Sequence, residues 1–338
     1  MKKHFLTRIN CINYKLFKDF EVGNLKRVNL IGGKNNIGKT ALMEACFINS
    51  VGKDISLLTT ALVSVKYSRE NLNILMSPAN YKPLEFIENA NGLRIESNIN
   101  NVSFEVETSP GQITYVFNAG QQKQSVNRNL FAAPVIGANM PNIPLININM
   151  QLMSMLNIPN AQFIDSYGMS HAEIKRNFNI VQKLNKESSL DAILKRFDDS
   201  IDGFKIIDDK PKCYVKNEWL DITEMGDGTR HLISIVISLF YSKDGYLYID
   251  EIDNGVHHEY LPEMWKIIFE LSNELDCQVF ATTHSRECIE AFNKSNKDNE
   301  GLYIELYRNQ KNESIMAKYR DYEQLQYSLT NEDSFRGE

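Results

Sequence analysis

The 338-residue chain has no apolar run long enough to cross a bilayer. Its longest, Leu232 to Tyr241, is interrupted by Ser234 and Ser238, and a spanning helix needs roughly 20 residues. The N-terminus, Met1-Lys2-Lys3-His4, leads into mixed polar and apolar residues with no hydrophobic leader and no small-residue cleavage site, which argues against export. There is no C-x-x-C pair. The five cysteines, Cys11, Cys46, Cys213, Cys277 and Cys288, are odd in number and far apart, and are expected to be reduced, mostly buried thiols of a cytoplasmic protein. A basic surplus is also missing: 37 Lys and Arg against 43 Asp and Glu leave a net charge of −6, so any DNA contact would be local and weak. No heptad pattern persists and no repeat recurs, which excludes a long coiled-coil arm and a solenoid.

What is present is the composition of a folded globular chain, 43% hydrophobic, 24% charged and 10% aromatic, with material for two or three domains at roughly 100 to 200 residues each. Strand candidates are Phe5 to Ile12, Phe20 to Val22 and Arg27 to Ile31. The last stops at Gly32-Gly33, and Leu42, Ala45 and Cys46 then fall on one face of a helix over Lys39 to Asn49. From Leu93 to Phe117 short alternating segments separated by Asn, Gly and Pro predict an antiparallel β layer. Gly120 to Pro144 has little periodicity and few charges and predicts an irregular, mobile excursion. Ile174, Phe178, Val181 and Leu184 mark a helix after Ser170, and Ser188 with Asp191 suggests a capped start for a second, Leu190 to Phe197. In the last third, Leu232 to Tyr241 and Leu261 to Leu271 predict helices, and Tyr246 to Ile249 and Gln278 to Thr282 buried strands, the alternation of a mainly parallel sheet.

Four motifs carry chemistry. Gly33-Lys34-Asn35-Asn36-Ile37-Gly38-Lys39-Thr40 fits the P-loop pattern, followed by Ala41. Its glycines let backbone N–H groups turn toward phosphates at the positive end of the next helix, Lys39 offsets phosphate charge, and Thr40 ligates Mg²⁺. Tyr246-Leu247-Tyr248-Ile249-Asp250-Glu251 is an apolar strand ending in two carboxylates, the form of a Walker B element. Asp250 would hold Mg²⁺, and Glu251 would orient or deprotonate water. His284 ends another apolar strand and can donate a hydrogen bond to a γ-phosphate; with His257, His258 and Asp253 it could instead suggest a structural metal cluster, which the divergent directions of adjacent histidines disfavour. Met225 to Arg230 stands just ahead of the Leu232 helix, about 20 residues before the carboxylates, and on its own reads as a turn and helix start.

Together these stretches resemble ABC-type ATPases of the SMC-like and overcoming-lysogenization-defect group, often labelled AAA-family ATP-binding proteins. The resemblance is densest in VNLIGGKNNIGKTALMEA, EMGDGTRHLISIVISLF, YLYIDEIDNGVHHEYLPEMWKIIFEL and QVFATTHSRECIEAF. It implies an α/β P-loop NTPase fold, an ABC-type head with an antiparallel β layer, a short helical lobe and no coiled-coil arm. The expected organisation is a Walker A lobe over 1–90, β layer and excursion over 91–148, helical insertion over 149–222, signature, Walker B and switch lobe over 223–322 and a tail over 323–338. By resemblance, Gly226, Asp227, Gly228, Thr229 and Arg230 form a signature motif acting in trans. Asp253, Asn254, Gly255 and His257 form the D-loop, and His284 is the switch histidine. Gly226 stands where many relatives have serine, which removes a hydroxyl donor to the γ-phosphate. The family's Q-loop glutamine is replaced by Asp165 in the stretch Phe163 to Ser166.

The resemblance further implies ATP and Mg²⁺ as cofactors and a homodimer or higher homo-oligomer sandwiching two ATP molecules. Hydrolysis would use Lys39, Glu251 and His284. Only 16 residues follow Tyr322 and no two aspartates stand two apart, so no nuclease domain is expected in the same chain. The leading expectation is a sensor or scaffold in anti-phage defence that controls a separate effector such as a Toprim-type nuclease. Alternatives are a DNA repair or recombination ATPase that clamps DNA, a non-hydrolysing nucleotide switch, and a transporter ATPase, disfavoured because the signature departs from LSGGQ.

Overall fold

The computed structural model describes residues 4–76, 87–128, 158–166, 168–311 and 313–331. Strands β1 (Ile9–Tyr14) and β2 (Phe17–Val22) form a hairpin, and β3 (Val28–Gly33) runs into helix α1 (Lys39–Val51), followed by α2 (Ile55–Met76). Next come β4 (Leu93–Ser97), β5 (Asn101–Ser109), β6 (Gln112–Ala119) and β7 (Gln122–Asn127). Beyond them lie β8 (Ala161–Ile164), helices α3 (His171–Lys183) and α4 (Glu187–Phe197), and strands β9 (Ile201–Ile207), β10 (Lys210–Val215) and β11 (Glu218–Asp221). The last part holds α5 (Asp227–Tyr241), β12 (Tyr246–Ile249), α6 (Leu261–Glu274), β13 (Gln278–Thr282), α7 (Arg286–Ser295), β14 (Gly301–Arg308), β15 (Ile315–Arg320) and α8 (Tyr322–Thr330).

Contacts divide the chain into two compact units, one of Met1–Phe5, Asn24–Met43 and Pro159–Glu338, the other of Leu6–Gly23 and Glu44–Ile158. The second unit is built on an antiparallel sheet in the order β2-β1-β4-β5-β6-β7. Alternation makes it. Leu93 and Ile95 of β4, Val102 and Phe104 of β5, and Tyr115 and Phe117 of β6 are buried, while Arg94, Glu96 and Glu105 are exposed. Phe104 lies 4.8 Å from Phe117 and 5.7 Å from Tyr115 between ring centroids, the offset aromatic packing that stabilises sheet faces.

The first unit holds a sheet in the order β15-β14-β3-β13-β12-β8. All neighbours pair in parallel except β15, which runs antiparallel at one edge. Every residue of β12 and β13 is buried, as expected for strands covered on both faces. The core between sheet and helices is filled by the apolar face of α5 (Leu232, Ile235, Val236, Leu239), by Trp265 of α6 and by Phe292 of α7. A parallel sheet delivers its C-terminal strand ends to one edge, so β3, β12 and β13 carry the P-loop, the Asp250-Glu251 pair and the Thr283-His284 pair to the same rim.

The sequence expectations need four corrections. The antiparallel layer is not confined to 91–148, because β1 and β2 pair with β4 in the same sheet. Residues 122–127, the start of the expected excursion, are the edge strand β7 hydrogen-bonded to β6; the rest, from 129, lies outside the described residues. Among the described residues, the stretch 149–222 holds two α-helices, but β8 joins the parallel sheet and β9, β10 and β11 form a separate antiparallel sheet. Its second helix starts at Glu187 with Lys186 as an uncapped N-cap. Asp191 does not cap it, because its carboxylate accepts the Phe204 N–H at 2.8 Å. The structure instead places a capping box at the start of α3, between Ser170 and Glu173.

All five cysteines are buried, and burial pushes the Cys11 and Cys213 thiols up to about 12, so they are held as thiols. Among the described residues no helix is long and apolar enough to cross a membrane, and the longest is α2 at 22 residues.

Candidate functional site

The loop from Gly33 to Gly38 turns tightly between β3 and α1. Gly33 and Gly38 adopt φ values of 134° and 102°. A Cβ on Gly33 would stand 2.4 Å from the Leu306 carbonyl oxygen, so both glycines are dictated by backbone geometry and close approach. Asn36 takes φ 60°, a conformation asparagine tolerates better than most side chains. Lys34, Asn35 and Asn36 are exposed, whereas Ile37 and Ala41 are buried and anchor the two ends of the loop. The Leu42 N–H reaches the Gly38 carbonyl at 2.9 Å, closing the first turn of α1.

Lys39 folds back over the loop, its Nζ donating to the carbonyls of Gly33 and Lys34 at 3.0 Å each. Burial holds its ammonium below the usual lysine range, while the charges of Asp250, Glu251 and Asp253 act in the opposite direction. A cation held on neutral carbonyls beside three carboxylates is placed to exchange those contacts for phosphate oxygens.

Thr40 and Asp250 meet directly. The Thr40 hydroxyl lies 3.0 and 3.1 Å from the two Asp250 carboxylate oxygens. Thr282, at the end of β13, donates its hydroxyl to the same carboxylate at 2.5 Å and accepts the Glu251 N–H at 2.8 Å. A hydroxyl and a carboxylate at a strand end are oxygen donors of the kind a hard cation takes when it keeps most of its waters, so the residues fit Mg²⁺. Thr40 and Asp250 would hold it. Among the described residues no group of three or more His, Cys, Asp or Glu could hold a metal, so His257, His258 and His284 form no such cluster.

Glu251 is half-buried and takes φ 51°, a left-handed conformation for a residue with a side chain. Its peptide is fixed on several sides: beyond the Thr282 contact, the Ile252 N–H reaches the Thr282 carbonyl at 3.0 Å and the Asn254 N–H reaches the Glu251 carbonyl at 2.8 Å. Asp253 accepts the Thr283 hydroxyl at 2.6 Å, and Asn254 donates to the Ser166 carbonyl at 2.7 Å. Gly255 has φ 72°. His257 is exposed, with its ring tilted by 40° against that of His258 at a centroid distance of 4.2 Å. His284 is exposed just past β13. Asp165 follows β8, the neighbour of β12, and so reaches the same rim as Asp250.

Gly226 is the N-cap of α5, with Asp227 to Arg230 in its first turn. Arg230 pairs with Asp227 at 3.4 Å. Gly228 packs against the turn that follows Asp253: a Cβ there would stand 3.1 Å from the Gly255 carbonyl oxygen, and one on Gly255 would stand 2.8 Å from the Asp227 Cβ. Three residues that no sequence motif singles out complete the rim, Thr282, Thr283 and Ser166. The two threonines are legible only as the polar end of an apolar strand, and Ser166 acts through its backbone.

The description of an AAA ATPase domain matches residues 151–289, which include Asp250, Glu251, the Gly226 to Arg230 turn and His284 but not the P-loop. The chain is similar to an "ATP/GTP phosphatase" of Helicobacter pylori (strain ATCC 700392 / 26695), 26% identical over 96% of this chain and 98% of that one. Among solved structures it resembles the SmcHead bound to the C-winged helix domain of ScpA, with a TM-score of 0.50, 10% identity and coverage of 96% and 99%. The SMC head domain from Thermotoga maritima matches with a TM-score of 0.46, 14% identity and coverage of 93% and 98%. The chain has the fold of an SMC-type P-loop ATPase head. In that head the P-loop, Asp250, Glu251 and His284 follow the ends of three adjacent parallel strands.

Proposed function

We propose that the chain binds and hydrolyses ATP, closes on a second copy through its signature turn, and uses that cycle to control a separate effector protein. The observation that carries this reading is the Thr40, Asp250 and Thr282 junction at the end of the P-loop, with Glu251 one residue beyond it. Lys39 would bind the β and γ phosphates, and the N–H groups of the loop would orient them. Glu251, held in its left-handed turn, would take a proton from the attacking water, and His284 would donate a hydrogen bond to the γ-phosphate. Bound Mg²⁺ supplies charge neutralisation of the phosphate oxygens. The name of the Helicobacter pylori relative supports triphosphate hydrolysis and makes GTP a second substrate to test.

The sandwich with a second copy rests on the resemblance of Gly226 to Arg230 to a signature motif and on their exposed or half-buried position at the start of α5. The effector reading draws on the overcoming-lysogenization-defect resemblance and on an SMC head of like fold that carries a domain of another protein. A net charge of −6 supports a protein partner rather than DNA as the main ligand. Anti-phage defence with a Toprim-type nuclease as effector is the setting proposed.

The experiment is ATP and GTP turnover by the wild type and by Glu251→Gln, with light scattering in Mg-ATP. Glu251→Gln should keep nucleotide affinity, lose at least about a hundredfold in kcat, and accumulate as a dimer. Wild-type protein without turnover refutes the hydrolysis reading, and a trapped variant that stays monomeric refutes the sandwich.

A further inference from the structure

We propose that Thr283 is a positioning residue for His284, tying the backbone of His284 to the Asp253 carboxylate. This assignment rests on the hydrolysis reading above, in which His284 donates to the γ-phosphate. Thr283 follows the last residue of β13 and is fully buried. Its hydroxyl donates to the Asp253 carboxylate at 2.6 Å and accepts the Ser285 N–H at 3.0 Å. Its own N–H reaches the Ile31 carbonyl of β3 at 3.1 Å. The backbone entering His284 is thus held by β3, and the peptide leaving it by the hydroxyl.

Asp253 decides how that hydroxyl is used. A threonine hydroxyl turns to suit its surroundings, and a carboxylate is its strongest acceptor. With the proton committed to Asp253, the oxygen keeps a lone pair for the Ser285 N–H, and the two bonds reinforce each other. Asp253 is itself held in the turn after β12, where the Val256 N–H reaches its carbonyl at 3.1 Å and the neighbouring Asn254 donates to the Ser166 carbonyl at 2.7 Å. Successive threonines at the end of β13 therefore grip successive parts of one turn, Thr282 at Asp250 and Glu251 and Thr283 at Asp253. Thr283 has no exposed surface, so water cannot take the place of its hydroxyl between the two partners. Without that hydroxyl the peptide after His284 is released, while the P-loop contacts of Lys39 and Thr40 stay as they are. A sensor displaced by about 1 Å slows the chemistry without weakening nucleotide binding.

The test measures kcat and ATP affinity of the full chain carrying Thr283→Val, Thr283→Ser, Asp253→Ala, and Thr283→Val with Asp253→Ala. Valine keeps the shape of threonine and removes the hydroxyl. Thr283→Val should bind ATP within about twofold of the wild type and lose about tenfold or more in kcat. Thr283→Ser should recover kcat to within about threefold. The double variant should be no more than about threefold slower than the slower single one, because both changes break the same pair of bonds. Equal kcat for wild type and Thr283→Val overturns the assignment, and so does a serine variant as slow as the valine one. Losses that multiply in the double variant give the two residues separate roles and overturn it too. A valine variant whose ATP affinity falls as much as its kcat assigns Thr283 to nucleotide binding instead. If the valine variant does not fold, wild-type kcat in Asp253→Ala overturns the assignment on its own. A wild type that hydrolyses neither ATP nor GTP overturns the hydrolysis reading, and this assignment with it.

Discussion

Thr282→Val isolates the junction that joins the carboxylate proposed to hold Mg²⁺ to the proposed base. Valine keeps the β-branched shape that suits β13 and leaves no cavity. It removes a hydroxyl that donates to Asp250 at 2.5 Å and accepts the Glu251 N–H at 2.8 Å. An N–H left without a partner in a site where Thr282 is fully buried costs about 1 to 3 kcal/mol, and a lost hydrogen bond to a carboxylate about 1.5 to 3 kcal/mol. Asp250 retains the Thr40 hydroxyl at 3.0 Å, which places the second contribution at its lower end and the sum at about 2.5 to 4.5 kcal/mol. With a urea slope of about 3 kcal/mol/M the unfolding midpoint should fall by about 1 M. The two tryptophans, Trp219 and Trp265, both belong to the unit that carries the site, so their fluorescence in a urea titration reads this unit. Thr282→Ser, which keeps the hydroxyl, should lose under about 1 kcal/mol. A valine variant within about 0.5 kcal/mol of wild type, or a serine variant as unstable as the valine one, refutes the role given to the hydroxyl.

Lys39→Ala removes the ammonium that folds back over the loop and should weaken ATP binding by at least about tenfold in calorimetry, with stability little changed because the lost partners are loop carbonyls. Gly226→Ser introduces a side chain at an N-cap with φ −61° and ψ 151° and nothing within 4 Å of the new Cβ. It should raise the urea midpoint by an amount worth a few tenths of a kcal/mol. His231 is buried with its folded pKa below the unfolded value. The unfolded chain therefore binds the extra proton first, and stability falls as pH drops below about 6.5. Urea midpoints between pH 7.5 and 5.5 should decline less in His231→Asn than in the wild type if this ring supplies the slope (~1 pH unit either side of the unfolded value).

The strands that make the site were the most legible part of the sequence. Tyr246 to Ile249 and Gln278 to Thr282 are continuous apolar runs with polar ends, and both occur with those bounds, because a strand covered on both faces needs every residue apolar or internally paired. The glycine spacing of the P-loop was equally readable, since only glycine fits the backbone at Gly33 and Gly38. The sheet of β9, β10 and β11 was not. Its strands carry charge on their exposed face, and its turns place Asp208, Asp209, Lys216 and Asn217 at positive φ, where glycine would have marked a hairpin. Strand order lay beyond the sequence as well. The pairing of β3 with β13 and β14 joins residues some 250 positions apart, and no local pattern encodes such a neighbour. The role of Thr282 follows from the pairing of β12 with β13, since a hydroxyl reveals its partners only when the groups it must satisfy have been brought within about 3 Å.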